Sequence, residues 1–577
     1  MSGISGLPGR RRRVGAFGRG SRGAVRMGAR WGATLLLIAV ACLWPVRTQA
    51  APPDPRFGAV EAFFAPFDAD EAGVAWERVL FYWREIQPEP GMWREDYFPP
   101  EILHREVSAG REIVGLLINP PGWANGYAGD RGVPLGLHLP IDNPQNYWAE
   151  FVFRIVSQYR GVIRHWILWN EPDVWDASHF GYTWDGTLEE FAQLTRVGYL
   201  AAKRADPDCV VHLAGLTYWW DVEYGRRPFF ERLLEEMAKD PNAGAHGFYF
   251  DVVSLHIYFK PRTIPDIVEK TRAAMRRYRL DKPIWVDETN APPFDDPQHP
   301  IAYPRFRVTQ AEQRAFVVQA FALALASGVE RVAVYKMSDR PSIEPWEEPF
   351  GMVRVDGTRR LAYDALRAAI RFMTGARSAR WEDKGTFAMV SLDQGERTTR
   401  IVWNWTAEPA VAVVPAAAPM GIQFSLDGEE RPSAATGGFR RLALPPAVCG
   451  QPRCDIGGEP VILVEDAPVA MVGRLIPTAT PTRSPEPTVT PAPTRSPEPT
   501  ATPTPLPTRT LSRTRATSPT PTPWVRGQAS PSPTPPAPAQ EADSRVPFAW
   551  GGMVGLAAGA LIAVGAARQA RRANRRR

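Results

Sequence analysis

Apolar runs of strand length alternate with amphipathic helical patterns over residues 56–373. Strands that are buried on both faces read as continuous apolar runs, so this alternation predicts a parallel sheet covered by helices. The helical patterns occupy residues 143–160, 188–205, 309–327 and 359–373. The predicted strands are FGAVEAFF, ERVLFYW, EIVGLLIN, RHWILWN, VVHLAGL, FDVVSLHIY, KPIWVDE and RVAVYKM. Eight units over about 320 residues predict a closed (β/α)8 barrel, and we assign it to residues 51–374.

An open, doubly wound α/β sheet is the alternative fold. It is weakened because no G-x-G-x-x-G motif follows the first strand. From residue 375 to 470 the pattern changes to short apolar runs separated by Gly, Pro and Asp, without a helix of normal length. This part predicts a small all-β, sandwich-like domain that packs on the barrel.

Two further hydrophobic segments lie near the termini. Residues 33–46 follow basic residues and precede Thr48-Gln49-Ala50, which predicts a signal peptide over 1–50 cleaved after Ala50. Residues 546–567 match the length of one transmembrane helix, and the basic tail 568–577 predicts a cytoplasmic C-terminus. The catalytic domain is therefore expected outside the cell, anchored to the membrane by this helix.

Residues 471–545 consist of Pro-, Thr- and Ser-rich repeats with almost no apolar side chains. Such a composition cannot bury a core, and it predicts a disordered stalk that lifts the domains off the membrane. The stalk also accounts for much of the high proline content, 59 residues in all.

The net charge of +6 does not indicate a nucleic-acid partner, because much of the arginine excess lies at the two termini. The four cysteines lack zinc-site spacing. Cys209 is expected in the core. Cys449 and Cys454 flank a short loop and form either a small disulfide or two free thiols.

The chemistry is expected at the carboxyl ends of the strands, where barrel enzymes carry their active sites. Glu171 follows the fourth predicted strand, and Glu288 ends the seventh. Two carboxylates on opposite sides of one mouth suit glycosidic bond cleavage, since one protonates the leaving oxygen and the other meets the oxocarbenium ion. Amides and aromatic rings stand at other strand ends, namely Asn119, Trp219, Trp220, His256 and Tyr258.

The sequence WNEP at 169–172, followed by a Glu at a later strand end, resembles the clan A retaining glycoside hydrolases, above all families 39 and 5. The resemblance implies a general acid/base role for Glu171, a nucleophile role for Glu288 and binding of the sugar 2-hydroxyl by Asn170. It places Arg78 and Tyr258 beside the nucleophile, with His256 lining the same pocket. No metal or organic cofactor is implied.

Two positions carry rival interpretations. Asp287 precedes Glu288, and strand alternation is expected to point only one of them inward; the motif favours Glu288. Related enzymes often have Trp at the end of strand eight, whereas VYKMSD stands here, and Trp346 in the next loop is the expected substitute.

Two function classes follow from these patterns. The first is a retaining glycosidase acting on an extracellular glycan, with transglycosylation as a variant that uses the same residues. The second is a non-catalytic carbohydrate-binding or adhesion protein built on the same barrel. The carboxylate pair beside Asn170 favours the enzyme, because a binding protein has no need of both acids.

Overall fold

The computed structural model describes residues 52–448 and 455–468, apart from residues 128, 180 and 346. Several predicted features lie outside the described residues: the signal peptide, Trp346, the Cys449–Cys454 pair, the stalk and the transmembrane helix. Within the described part of the chain, no helix has the length and apolar character needed to cross a membrane.

Eight parallel strands form the first sheet, and each follows one of the predicted apolar runs. They are β1 (Phe57–Val60), β2 (Trp76–Tyr82), β3 (Glu112–Ile118), β4 (His165–Asn170), β5 (Val210–Gly215), β6 (Val253–His256), β7 (Ile284–Thr289) and β8 (Arg331–Val334). Their order in the sheet is β5-β4-β3-β2-β1-β8-β7-β6. The continuous apolar runs are explained by burial on both faces.

The ring of strands is nearly closed at the seam between β5 and β6. Two isolated parallel bridges, His212–Val252 and Leu216–Leu255, link these strands in place of a continuous ladder. The predicted barrel is therefore confirmed, with its least regular joint between β5 and β6.

Helices surround the barrel, and four of them lie within the segments for which the sequence predicts a helix. They are α1 (Pro66–Ala72), α2 (Trp83–Ile86), α3 (Pro100–Ser108), α4 (Tyr147–Gln158), α5 (Leu188–Ala205), α6 (Trp219–Val222), α7 (Phe229–Met237), α8 (Ile264–Arg277), α9 (Gln310–Ala326) and α10 (Leu361–Met373). Capping boxes define the starts of α5 and α9: Thr187 with Glu190, and Thr309 with Glu312.

An antiparallel β domain follows the barrel. Its strands are β9 (Ser378–Asp383), β10 (Phe387–Asp393), β11 (Thr398–Asn404), β12 (Ala410–Pro415), β13 (Met420–Phe424), β14 (Glu430–Ala434), β15 (Phe439–Leu444) and β16 (Val461–Glu465). Six form a sheet in the order β14-β13-β16-β11-β10-β9, and β12 pairs with β15. Apolar side chains from both sheets meet in one cluster: Met389, Val402, Ala412, Val414, Leu442, Leu444 and Leu463.

Helix α9 lies between the barrel and the β domain, and all its residues from Glu312 to Leu325 are buried. The Gln319 side chain donates to the Gly458 carbonyl at 3.0 Å and accepts from the Gly457 N–H at 3.0 Å. A helix that is apolar on all sides requires a cover on its outer face, and the β domain provides it. The expected packing of the β domain on the barrel is confirmed.

Candidate active site

Two carboxylates and an imidazole converge at the carboxyl ends of β4, β6 and β7. One oxygen each from Glu171 and Glu288 and one ring nitrogen of His256 all lie within 4.8 Å of one another. The three side chains are fully buried. The structure thus brings together the two acids that the sequence places on separate strands.

The backbone at the end of β4 is held in an unusual conformation. Trp169 has a φ of 78° and Glu171 a φ of 45°, in the left-handed region that non-glycine residues rarely adopt. The Glu171 N–H donates to the Gly215 carbonyl at 3.0 Å, and the Thr183 hydroxyl donates to the Glu171 carbonyl at 3.2 Å. Contacts with Gly215 of β5 and with Thr183 in the loop after β4 therefore stabilise this turn and direct Glu171 into the site.

His256 lies between the three acids. Its Nδ1 is 2.6 Å from Glu171 Oε1 and 3.4 Å from Glu288 Oε2, and its Nε2 is 3.6 Å from Asp287 Oδ1. Gly215 gives the ring its space, because a Cβ at that position would lie 2.0 Å from His256 Nε2. Burial alone would lower the pKa of His256, but the surrounding carboxylates, led by Glu288, raise it well above its usual value.

Glu288 contacts two donors from other strands. Arg78 Nη2 forms an ion pair with Oε1, and the Tyr258 hydroxyl donates to Oε2. Arg78 is 1% exposed, so its charge acts at short range in a region that excludes water. These two contacts fix the orientation of the Glu288 carboxylate and stabilise its negative charge.

The expectation that only one of Asp287 and Glu288 points inward is wrong. Asp287 is fully buried and lies 3.8 Å from Arg78 Nη1, so both acids reach the same guanidinium. The ladders of β7 are irregular here, with register shifts on the β6 side near His256 and on the β8 side between Val286 and Thr289. A strand that departs from regular pleating no longer alternates its side chains strictly.

The acids differ in their electrostatic surroundings. Burial raises the pKa of Glu171 to about 8, and the Glu288 charge adds to this, against the lowering effect of His256. The pKa of Asp287 is lowered, because His256 and Arg78 outweigh the effect of its burial. Glu171 Oε2 has no hydrogen-bond partner among the described residues. Burial and the Glu288 charge therefore favour the protonated form of Glu171, and its Oε2 is left for a ligand.

The Glu171–His256–Glu288 cluster has a hydrogen-bonded geometry that suits proton transfer. The His256 Nδ1 is directed at the Glu171 carboxyl group at 2.6 Å.

The other predicted binding residues lie at varying distances from this cluster. Asn170 is 5% exposed, and its amide makes no hydrogen bond to any described residue. Asn119 is buried, and its amide donates to the Asp130 carbonyl at 3.0 Å, which ties down the loop after β3. Trp219 lies under the Lys260 ammonium, 4.6 Å from the ring centroid, and no contact described for it reaches the acids.

Three residues of the site were not among those predicted from the sequence: Gly215, Asp287 in its inward role, and Tyr335 at the end of β8. The Tyr335 ring lies 6.2 Å from the Tyr258 ring and 5.4 Å from Phe350. It provides an aromatic side chain at the strand end where Trp was expected. The residue type was visible in VYKMSD, but its inward direction depends on the fold.

Comparison with known proteins gives structural matches only; no protein-family model and no curated protein sequence matches the chain. A family 39 glycoside hydrolase from the gut symbiont Bacteroides cellulosilyticus WH2 aligns with a TM-score of 0.55 and 15% identity, covering 72% of this chain and 81% of that chain. A monomeric beta-xylosidase from Caulobacter crescentus CB15 aligns with a TM-score of 0.48 and 14% identity, covering 74% and 99%. At such identities the first match establishes a shared fold. The likeness to clan A glycoside hydrolase barrels is confirmed as a likeness of structure.

Proposed function

We propose that this protein is a retaining glycoside hydrolase that cleaves an extracellular poly- or oligosaccharide by double displacement. The observation that carries the proposal is the pair of buried acids, Glu171 and Glu288, whose oxygens lie within 4.8 Å of each other. Retaining enzymes hold their two carboxyl groups about 5–5.5 Å apart, whereas inverting enzymes leave room for a water molecule at roughly 6.5–9.5 Å.

In the first step Glu171 donates its proton to the glycosidic oxygen while a Glu288 oxygen attacks the anomeric carbon. The carbon–oxygen bond to the leaving sugar breaks, and a glycosyl ester of Glu288 forms. Arg78 and Tyr258 orient the attacking carboxylate, and Asn170 binds the sugar 2-hydroxyl with its available amide.

In the second step the Glu171 carboxylate accepts a proton from water, and the water oxygen attacks the anomeric carbon. The ester bond to Glu288 breaks, and the sugar leaves with its original configuration. His256 remains hydrogen-bonded to Glu171 through both steps and stabilises the carboxylate that forms after the first proton transfer.

A carbohydrate-binding protein on the same barrel is the second candidate. The free Glu171 Oε2 and the raised pKa of this group favour the enzyme. A protonated carboxyl group poised near neutral pH serves proton transfer, whereas sugar binding alone does not require it.

The proposal includes a cell-surface location. The N-terminal signal, the Pro/Thr-rich stalk and the apolar segment at 546–567 support a catalytic domain held outside the cell by a C-terminal anchor. Carbohydrate and the membrane are the partners that this arrangement implies, and no nucleic acid is expected.

The test is a panel of aryl glycosides with the full-length chain, Glu171→Ala and Glu288→Ala. We expect the parent to release aryl alcohol from at least one sugar, and the first product to have the substrate's anomeric configuration by NMR. Glu288→Ala should lose turnover on every substrate, while Glu171→Ala should retain it on substrates with good leaving groups.

Azide provides a second readout that a merely unfolded variant could not give. With Glu171→Ala, azide should restore turnover and yield a glycosyl azide of retained configuration, since the small anion needs no deprotonation. An inverted first product would contradict the double displacement. A parent that binds glycans but releases no product, also from long oligosaccharides, would favour the binding protein.

A further inference from the structure

An aromatic cluster of Trp175, Trp220 and Tyr224 lies on the loops that follow β4 and β5. The Trp175 and Tyr224 rings meet edge to face at 5.1 Å, and Tyr224 stacks on Trp220 at 5.9 Å. Trp220 is buried, whereas Trp175 is 37% and Tyr224 40% exposed. Single exposed apolar residues are ordinary on protein surfaces, but adjoining ones indicate a surface that binds a ligand or partner.

Polar contacts fix the rings of this aromatic cluster in place. The Trp175 indole N–H donates to the Trp220 carbonyl at 2.8 Å. The Arg226 guanidinium lies over the Trp175 ring, 4.8 Å from its centroid, and forms an ion pair at 3.0 Å with the buried Asp221. A surface whose side chains are already ordered loses less conformational entropy when a ligand binds.

The aromatic cluster belongs to the side of the mouth that holds Glu171. Asp173 accepts from the Thr217 N–H and from the Thr217 hydroxyl, both at 2.8 Å, which joins the loop after β4 to the loop after β5. Trp175 follows Glu171 by four residues, so their Cα atoms lie within about 14 Å of each other even for an extended chain. The rings therefore stand within reach of a sugar bonded to the oxygen that Glu171 protonates.

A contact between loops places the aromatic cluster at the mouth of the barrel. The His179 ring lies 4.8 Å from the Trp220 ring, and its Nε2 is 3.0 Å from Arg305 Nη1. Arg305 belongs to the loop after β7, the strand that carries Glu288. The cluster thus adjoins the loops of both acids and does not lie on the outer wall of the barrel.

The roles of the two acids determine which part of a substrate meets these rings. The general acid protonates the glycosidic oxygen, so the leaving group extends from the cleaved bond on the side of Glu171, while the sugar that is to be bonded to Glu288 lies on the other side. Aromatic rings bind the apolar C–H face of a sugar, and a charged neighbour such as Arg226 binds its hydroxyl groups. The cluster therefore suits a sugar as the leaving group.

We propose that Trp175 and Tyr224, supported from below by Trp220, bind the sugar that leaves in the first step. The substrate is then a glycoside whose leaving group is itself a sugar with an apolar ring face. This inference rests on the proposed glycosidase function for its location, while sugar binding by the aromatic cluster is measurable without turnover.

The experiment varies the leaving group and keeps the transferred sugar constant. The sugar identified by the aryl glycoside panel is assayed as its glycosyl fluoride, whose leaving group is too small to contact the cluster, and as disaccharides with glucose or xylose as the leaving unit. The full-length chain is compared with Trp175→Ala, Trp175→Phe, Tyr224→Ala and the control Phe153→Ala. Phe153 on α4 is a matched control, because it is 38% exposed and lies 5.2 Å from the Arg204 guanidinium. Calorimetric titration with cellobiose, xylobiose and laminaribiose measures binding in parallel.

We expect Trp175→Ala and Tyr224→Ala to lower kcat/KM on at least one disaccharide by about tenfold or more, the range of a buried aromatic contact, and to leave the fluoride unchanged. Trp175→Phe should retain most of the disaccharide activity, and Phe153→Ala should resemble the parent.

The outcomes separate this inference from the proposed glycosidase. Turnover with equal effects on fluoride and disaccharides in both alanine variants, or with none on either, would overturn the inference and leave the glycosidase intact. Disaccharide binding that is lost in Trp175→Ala, without turnover of any substrate by the parent, would support the inference and contradict the glycosidase. A parent that neither binds nor cleaves any of the disaccharides would overturn the inference, whether or not it hydrolyses the fluoride.

Discussion

At the scale of single residues, the site places five ionisable side chains in a region closed to water. Arg78, Glu171, His256, Asp287 and Glu288 are all buried. Three potential negative charges face two positive ones, and keeping a proton on Glu171 removes the imbalance. The raised pKa of Glu171 thus follows from the arrangement of the whole cluster as well as from its own burial.

This arrangement predicts how the rate depends on pH. Glu171, with a pKa of about 8, holds its proton below that pH and loses it as the pH rises through 8. For aryl glycosides with poor leaving groups, kcat/KM should therefore fall above pH 8. Glu171→Gln should abolish this limb and reduce the rate on such substrates by roughly 10²- to 10⁴-fold. The exposed-residue control Glu189→Gln should keep the parent profile; an unchanged limb in Glu171→Gln would assign it to another group.

At the scale of elements, the seam between β5 and β6 is the part of the barrel that serves the site most directly. Gly215 ends β5, accepts the Glu171 N–H through its carbonyl and leaves the space that His256 occupies at the end of β6. A Cβ at position 215 would collide with the imidazole of His256. The strands β5 and β6 are joined here by isolated bridges, so the collision is expected to move the end of β6.

Gly215→Ala should therefore displace His256 and lower kcat by at least tenfold. Overpacking should also destabilise the fold by about 1–3 kcal/mol. Gly244→Ala is the matched control, since no atom lies within 4 Å of its added Cβ. Circular dichroism and thermal melting of both variants, beside their kinetics, check the prediction; full activity in a folded Gly215→Ala would show that His256 need not occupy its observed position.

The elements also show how far sequence patterns reach. The sequence predicts all eight barrel strands and the helices α4, α5, α9 and α10, because each has a continuous or periodic apolar pattern. Strands β9 and β14 were missed, since SARWED and ERPSA are polar and partly exposed and take their conformation from pairing with their neighbours. The inward position of Asp287 depends on an irregular ladder, so it leaves no local pattern in the sequence.

At the scale of the whole molecule, α9 couples the barrel to the β domain. Its Gln319 satisfies one carbonyl and one N–H of the loop before β16, both in a buried interface. Arg314 adds an ion pair with Asp427 at 2.6 Å from the same helix. The interface between α9 and the β domain thus combines buried apolar side chains with polar groups of one domain that bond to the other.

Gln319→Ala should lower the free energy of unfolding by about 2–5 kcal/mol, because two buried backbone groups lose their partners. Calorimetry should show one cooperative transition at a lower Tm, because the barrel and the β domain still unfold together but share a weaker interface. Gln158→Ala, on the outer surface of α4, is the control and should change little. Two separate transitions in the parent would contradict the coupling.

The burial of α9 also bears on how this gene could have changed during evolution. A recombination event that separated the barrel near Gly375 from the β domain would leave an apolar helix without its cover. Such a product would aggregate before selection could act on its activity. The two coding regions are therefore expected to be inherited as a single exchangeable module.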